Sequence, residues 1–320
     1  MGEKLLEVKN LKTEFDTKRG PLKAVDGVSY DVLRGEIVAL VGESGCGKTV
    51  SALSMIRLIP EPPGKVTGEA WLEGEDLLKL NREAIRSVRG RKISVIFQEP
   101  MTSLNPVFTI GKQLGEGMEA HRTIEKKQMA AQEVKLLQTV GIPGGEQRLG
   151  QYPFQFSGGM RQRVMIAMAL SCGPSLIIAD EPTTAVDVTI QAQLLELLNA
   201  VIKQANAAVL LITHNLGMVA KYAKRVNVMY AGRIVEKGLV DEIFYNPLHP
   251  YTKALLGCVP RLDETKGCRL VTIDGQPPDL VKLPPGCSFS PRCGVKTKEC
   301  EAEWPPLHDA GNGHMVACIH

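Results

Sequence analysis

The chain has 320 residues and a mass of 34.8 kDa, with 44% hydrophobic and 23% charged residues, enough for two domains of roughly 150 residues and incompatible with disorder as the main state. Lys and Arg exceed Asp and Glu by only 38 − 35 = 3, too small a bias for a nucleic-acid footprint. The longest apolar run, Val164 to Leu170, is seven residues, far below the roughly 20 that a bilayer span requires.

The amino-terminal MGEKLLEVKN lacks the apolar core of a signal peptide, so the expected location is the cytoplasm. In chain order, β-branched runs predict strands at Ile37 to Val41, Ile93 to Phe97, Leu176 to Ala179, Val209 to Thr213 and Val226 to Tyr230. From Thr109 to Ser171 the composition is helical with no comparable strand, which predicts a helical subdomain (about 109–171) inserted in an α/β core. Ala231-Gly232, ahead of Arg233 to Glu236, predicts a hairpin that closes this core. Past Glu236 the composition changes. Ten of the twenty prolines follow it, and four of the eight cysteines lie in the last 34 residues. A domain boundary is therefore expected near residue 236, dividing 1–236 from 237–320.

GESGCGKT, Gly42 to Thr49, follows the apolar strand IVALV and precedes the helical stretch Val50 to Leu58. It satisfies the phosphate-loop pattern in the strand-loop-helix context that pattern requires. Glycines let successive N–H groups wrap around phosphates at a helix amino terminus. The nucleotide contacts are expected from Gly42, Ser44, Gly45, Cys46, Gly47, Lys48, Thr49 and Val50. Lys48 should reach the β and γ phosphates, and the Thr49 hydroxyl should ligate Mg²⁺. The apolar run LIIA leads into Asp180 and Glu181, adjacent acids with separable tasks. Asp180 is expected to hold Mg²⁺ and Glu181 to polarise the attacking water as general base. FSGGMRQR, Phe156 to Arg163, predicts a helix that starts at Ser157-Gly158-Gly159 and aims its N–H groups at an anion.

Taken together, residues 5 to about 236 resemble an ABC transporter ATPase subunit. GESGCGKT corresponds to its Walker A, LIIADEP to its Walker B, and FSGGMRQ to its LSGGQ signature with Phe156 for Leu and Met160 for Gln. The resemblance implies further roles. Gln98, after ISVIF, is the Q-loop glutamine and a Mg²⁺ or water ligand; His214, in LLITHN, is the switch histidine beside Asn215 where Asp is common. Asp187 closes the D-loop TTAVD, and Phe15, placed just after the first strand, stacks on adenine. A head-to-tail dimer is implied as well, in which Ser157 and Gly159 of one subunit face ATP held by the other. Binding closes such a dimer and hydrolysis opens it.

NPLHPYTKALL, Asn246 to Leu256, and CSFSPRC, Cys287 to Cys293, resemble the extension of oligopeptide and dipeptide importer ATPases, as does FQEPMTSLNP around Gln98. FSGGMRQRVMIAMAL is similar to the dipeptide-importer "D" type. The implied partners are a second ATPase subunit in a heterodimer, two membrane permease subunits and an extracytoplasmic peptide-binding protein, with no nucleic acid. The implied location is peripheral, on the cytoplasmic face of the membrane. A nickel, glutathione or antimicrobial-peptide importer ATPase would carry the same motifs. A soluble DNA-repair ATPase would normally add a long coiled coil, zinc module or basic patch, none of which the sequence displays.

Cys287, Cys293, Cys300 and Cys318 have spacing C-x5-C-x6-C-x17-C, from which four thiolates can form a tetrahedral sulfur cage. Spacing does not select the metal. The C-x2-4-C pairs of zinc ribbons are absent, four cysteines suit a [4Fe-4S] cluster, and the importer resemblance favours iron-sulfur. The alternatives are buried free thiols and substitution of one ligand by His308, His314 or His320. Cys46, Cys172, Cys258 and Cys268 are expected to be packing residues.

Overall fold

The computed structural model describes residues 2–98, 103–182, 188–259 and 272–320. The expected D-loop, with Asp187, and Cys268 lie outside them. In chain order the strands are β1 (Lys4–Thr17), β2 (Gly20–Leu33), β3 (Ile37–Val41), β4 (Gly64–Leu72), β5 (Glu75–Asp76), β6 (Ile93–Ile96), β7 (Leu176–Asp180), β8 (Ala208–Thr213), β9 (Arg225–Tyr230), β10 (Arg233–Leu239), β11 (His308–Asp309) and β12 (Met315–Val316). Two compact units emerge, one of residues 1–5, 32–36 and 79–211, the other of residues 6–31, 37–78 and 212–320.

In the first unit β6 and β7 run parallel, Ile93 opposite Leu176 and Ile96 opposite Ala179, in the order β8-β7-β6. Every residue of β7 is buried, as expected of a parallel strand covered on both faces. Helices Ile110–Ala120, Met129–Thr139, Gly145–Leu149 and Gly158–Leu170 fill the stretch read as helical, with no strand among them. Ile110, Leu114 and Met118, spaced by four, are buried along one face of the first of these helices. The Thr109 hydroxyl caps it by accepting the Lys112 N–H at 3.4 Å.

The second unit holds two sheets. β3 pairs in parallel with β9; β9, β10, β12 and β11 continue antiparallel. The turn between β9 and β10 has Ala231 at φ 46° and Gly232 at φ 81°, the two positive angles of a type I′ hairpin turn. The other sheet, in the order β2-β1-β4-β5, is antiparallel where β1 meets β4. None of its strands was expected. In KLLEVKNLKTEFDT the charged residues interleave with buried Leu6, Val8, Leu11 and Thr13, so a search for β-branched runs passes over it.

A hydrophobic cluster forms the core of this unit. Val41 of β3 and Val226, Val228 and Tyr230 of β9 pack in it with Tyr251, Cys287, Phe289 and Cys300. Tyr251 lies on the helix Pro250–Gly257, and Phe289 just precedes a short 3₁₀ turn, Ser290–Arg292. Among the described residues no helix is long and apolar enough to cross a membrane.

Candidate functional site

The second unit carries the phosphate loop. Its helix, Lys48–Met55, starts at Lys48 with Gly47 as amino-terminal cap. Gly42 and Gly47 take φ of 151° and 101°, and a Cβ would meet the Met229 carbonyl oxygen at 2.1 Å in the first and the Ala24 carbonyl oxygen at 2.1 Å in the second. Glycine is required at both positions by backbone packing as well as by φ. Ser44, Gly45 and Thr49 are exposed, Val50 is half-buried, and Cys46 is buried. The Lys48 ammonium is buried and donates to the carbonyl oxygens of Gly42 at 2.8 Å and Glu43 at 2.9 Å. Burial pushes the Cys46 thiol up, while neighbouring Lys48 pulls it the other way.

Glu43, which the motif leaves unspecified, is held at both ends. Its backbone N–H donates to the Tyr251 hydroxyl at 2.8 Å. Its carboxylate receives both terminal nitrogens of Arg292, at 2.7 Å and 3.0 Å. Sequence reasoning missed these contacts, because partners 208 and 249 residues away leave no local signal.

The first unit carries the acids. Asp180, the last residue of β7, is buried, and Glu181 follows at φ 46°, half-buried. Gln98 donates its amide to a Glu181 carboxylate oxygen at 2.8 Å, so the expected Q-loop glutamine and general base are brought together. Ser157 caps the helix Gly158–Leu170, its hydroxyl accepting the Met160 N–H at 3.3 Å, and both Ser157 and Gly158 are exposed while Gly159 is half-buried. The helix starts where the sequence suggested, with its amino terminus exposed. One residue went unremarked: Gln162, deeply buried in that helix, donates its amide to the Pro182 carbonyl next to Glu181.

One expectation changes in detail. Phe15 lies within β1 rather than after it, opposite Gly64 of β4, because pairing continues to the end of that strand; it is half-buried. His214 is exposed just past β8, and Asn215 has a local task as cap of the helix Leu216–Tyr222, accepting the Met218 N–H at 3.2 Å.

The [4Fe-4S] expectation for Cys287, Cys293, Cys300 and Cys318 finds no support in the side-chain arrangement. Among the described residues no three His, Cys, Asp or Glu side chains are grouped so as to hold a metal ion. The thiols are nonetheless neighbours: burial pushes Cys287 and Cys293 up, and Cys300 and Cys318 push both in the same sense. Cys300 has other partners, however. The Cys300 sulfur lies 3.6 Å from the Thr297 hydroxyl and 3.6 Å from His320 Nε2. His314 is engaged by Glu236 at 2.7 Å, and His308 is exposed.

Comparison with known proteins supplies two matched families. Residues 25–184 match the family described as ABC transporter, and residues 235–300 match the oligopeptide/dipeptide transporter C-terminal region. The dipeptide transport ATP-binding protein DppD of Bacillus subtilis is 51% identical over 99% of this chain and 94% of its own length. The oligopeptide transport ATP-binding protein AppD of the same organism is 50% identical over 98% and 96%. Among solved structures, a dimeric ATP-binding cassette in a post-hydrolysis state with ADP and phosphate is similar in fold, with a TM-score of 0.65 and 23% identity over 73% of this chain and 98% of that one.

Proposed function

The chain belongs to the ABC transporter family, with the C-terminal region of oligopeptide and dipeptide transporters, and from that premise we propose that it hydrolyses ATP to power import of di- or oligopeptides through a membrane complex. The observation that carries this is the near-full-length identity to peptide transport ATP-binding proteins, which runs through the carboxy-terminal part as well as the ATPase part.

The residues take the following tasks. The loop from Gly42 to Thr49, with Val50 behind it, cradles the phosphates, and Lys48 turns from its loop carbonyls to the β and γ oxygens. Thr49 and Asp180, with Gln98, offer hard oxygen donors of the kind Mg²⁺ takes, and the ion, when bound, neutralises phosphate charge. Glu181 accepts the proton of the attacking water, held meanwhile by Gln98. His214 acts as the switch at the γ-phosphate, and Phe15 stacks on the base. Ser157, Gly159 and Asp187 serve the nucleotide of a partner ATPase subunit.

Residues 1–236 form the nucleotide-binding domain, its helical subdomain spanning about 109–171, and residues 237–320 form an importer-type, cysteine-rich extension. The working assembly is a heterodimer with two permease subunits and an extracytoplasmic peptide-binding protein, on the cytoplasmic face of the membrane. The donor chemistry of Cys287, Cys293, Cys300 and Cys318 alone supports a [4Fe-4S] cluster there; no step of hydrolysis passes through it.

Glu181→Gln tests the central assignment, since it keeps shape but removes the base. ATP should bind as in the wild type while turnover falls by about 10²-fold or more. Lys48→Ala should instead weaken ATP binding itself. Peptide uptake into vesicles carrying the assembled complex should stop in both variants, and undiminished turnover in Glu181→Gln would remove that residue from its role.

A further inference from the structure

A carboxylate inside a loop built to bind polyphosphate is an electrostatic conflict. Glu43 follows Gly42 directly, in the segment whose N–H groups form the anion site, and nucleotide phosphates would be repelled by a bare charge there. The fold resolves the conflict with one side chain. Arg292 places both terminal nitrogens on the two Glu43 oxygens, at 2.7 Å and 3.0 Å, the two-pronged geometry that only a guanidinium supplies.

The rest of the guanidinium is also occupied. Nε donates to the Asp274 carbonyl at 2.9 Å, Nη1 also reaches the Tyr230 hydroxyl at 3.3 Å, and Nη2 also reaches the Ile273 carbonyl at 3.3 Å. A guanidinium has five N–H donors, and all five have partners. Its Cζ lies 5.9 Å from the centroids of both the Tyr230 and Phe289 rings. The side chain is only 4% exposed, so its position is set from every side. Tyr251 completes the grip, taking the Glu43 N–H at 2.8 Å. Both anchors come from the carboxy-terminal extension, Arg292 from CSFSPRC and Tyr251 from NPLHPYTKALL.

We propose that Arg292 is a positioning residue for the phosphate loop: by pairing with Glu43 it cancels the loop's one negative charge and turns that carboxylate away from the nucleotide. The assignment rests on the reading of Gly42 to Thr49 as the ATP site and deepens it. Arg292 acts through Glu43, so removing the guanidinium hurts ATP binding only while the Glu43 charge is present. A purely structural Arg292 would lack that dependence.

The test is MgATP affinity of the full chain, by calorimetry, for wild type, Lys48→Ala, Arg292→Gln, Glu43→Gln and the double variant R292Q/E43Q. Thermal unfolding without nucleotide establishes that each is folded. Arg292→Gln should weaken MgATP about tenfold, with the deficit shrinking as salt rises. The double variant should return to within about twofold of wild type. Wild-type affinity in Arg292→Gln, or a double variant as weak as the single, would overturn the proposal. Should Arg292→Gln not fold, Glu43→Gln alone decides. It leaves a guanidinium facing the loop uncancelled, so MgATP should bind severalfold tighter at low salt, and equal or weaker binding would overturn the claim. Loss of binding in Lys48→Ala with silent Arg292 and Glu43 variants would sink this assignment alone. Wild-type binding insensitive to Lys48→Ala would sink the phosphate-loop reading and this assignment together.

Discussion

At the scale of single residues, the phosphate loop separates two reasons for glycine. Gly45 has φ 78° with nothing within 4 Å of an added Cβ, whereas Gly47 has φ 101° and the Ala24 carbonyl oxygen 2.1 Å away. Alanine at 45 meets only backbone strain, of order 1 kcal/mol. Alanine at 47 must also push a buried strand aside, so Gly47→Ala should cost at least about 2 kcal/mol more than Gly45→Ala in urea unfolding. Equal losses would mean that loop and strand separate easily. These glycines, Lys48 and the Asp180-Glu181 pair were legible in the sequence because their chemistry is bound to local spacing. Arg292 was not, since nothing near it in the chain announces a carboxylate 249 residues away. Gln162 was hidden for another reason: its partner, the Pro182 carbonyl, is a backbone group that no residue type announces.

Elements tell a similar story of pattern and its limits. The strands β3, β6, β7, β8 and β9 lie within a residue or so of where β-branched runs placed them, because buried parallel strands are almost purely apolar. The sheet of β1, β2 and β4 was invisible because one face is solvated and its charges break the runs. Helix caps are easier to see than to weigh, and His249 is a case in point. It caps the helix Pro250–Gly257 by accepting the Tyr251 N–H on Nδ1 at 3.0 Å, which requires the neutral ring. Glu236, fully buried, takes the His249 backbone N–H at 2.9 Å. Burial pushes His249 down to about 4, below the 6.5 of an unfolded chain. As pH falls the unfolded state takes up the proton first. The contribution is therefore whole above about pH 6.5 and is lost between there and about pH 4, amounting to about 3 kcal/mol. Unfolding free energy measured across that window should fall less steeply in His249→Asn, which keeps an acceptor at the cap but cannot titrate. Parallel curves for the two proteins would rule His249 out.

For the molecule as a whole, the decisive feature is that the carboxy-terminal residues share a core with the phosphate-loop strand. Tyr251 and Phe289 are almost fully buried in one cluster with Val41, Val226 and Tyr230, joined by Ile243, and the three rings of Tyr230, Tyr251 and Phe289 meet at centroid distances of 4.6 Å to 5.4 Å. Burying a side chain of that size contributes about 1.5–3 kcal/mol. Three of them therefore approach the whole stability of a domain, about 5–15 kcal/mol. β12 extends the sheet, pairing Glu236 with Val316, and β11 forms its edge. The composition of residues 237–320, rich in proline and cysteine, conceals this, since the change at Glu236 reads as a boundary until the few large apolar residues beyond it are seen to converge on β3 and β9. A chain ending at Leu239 would expose that cluster and the outer edge of β10, and would lose both grips on Glu43. It should therefore associate through the bared apolar face, eluting as aggregate in size-exclusion chromatography and binding a hydrophobic dye. Its soluble fraction should also bind MgATP more weakly than the full chain. A monomeric 1–239 fragment with full MgATP affinity would show instead that the phosphate loop is shaped without help from the extension.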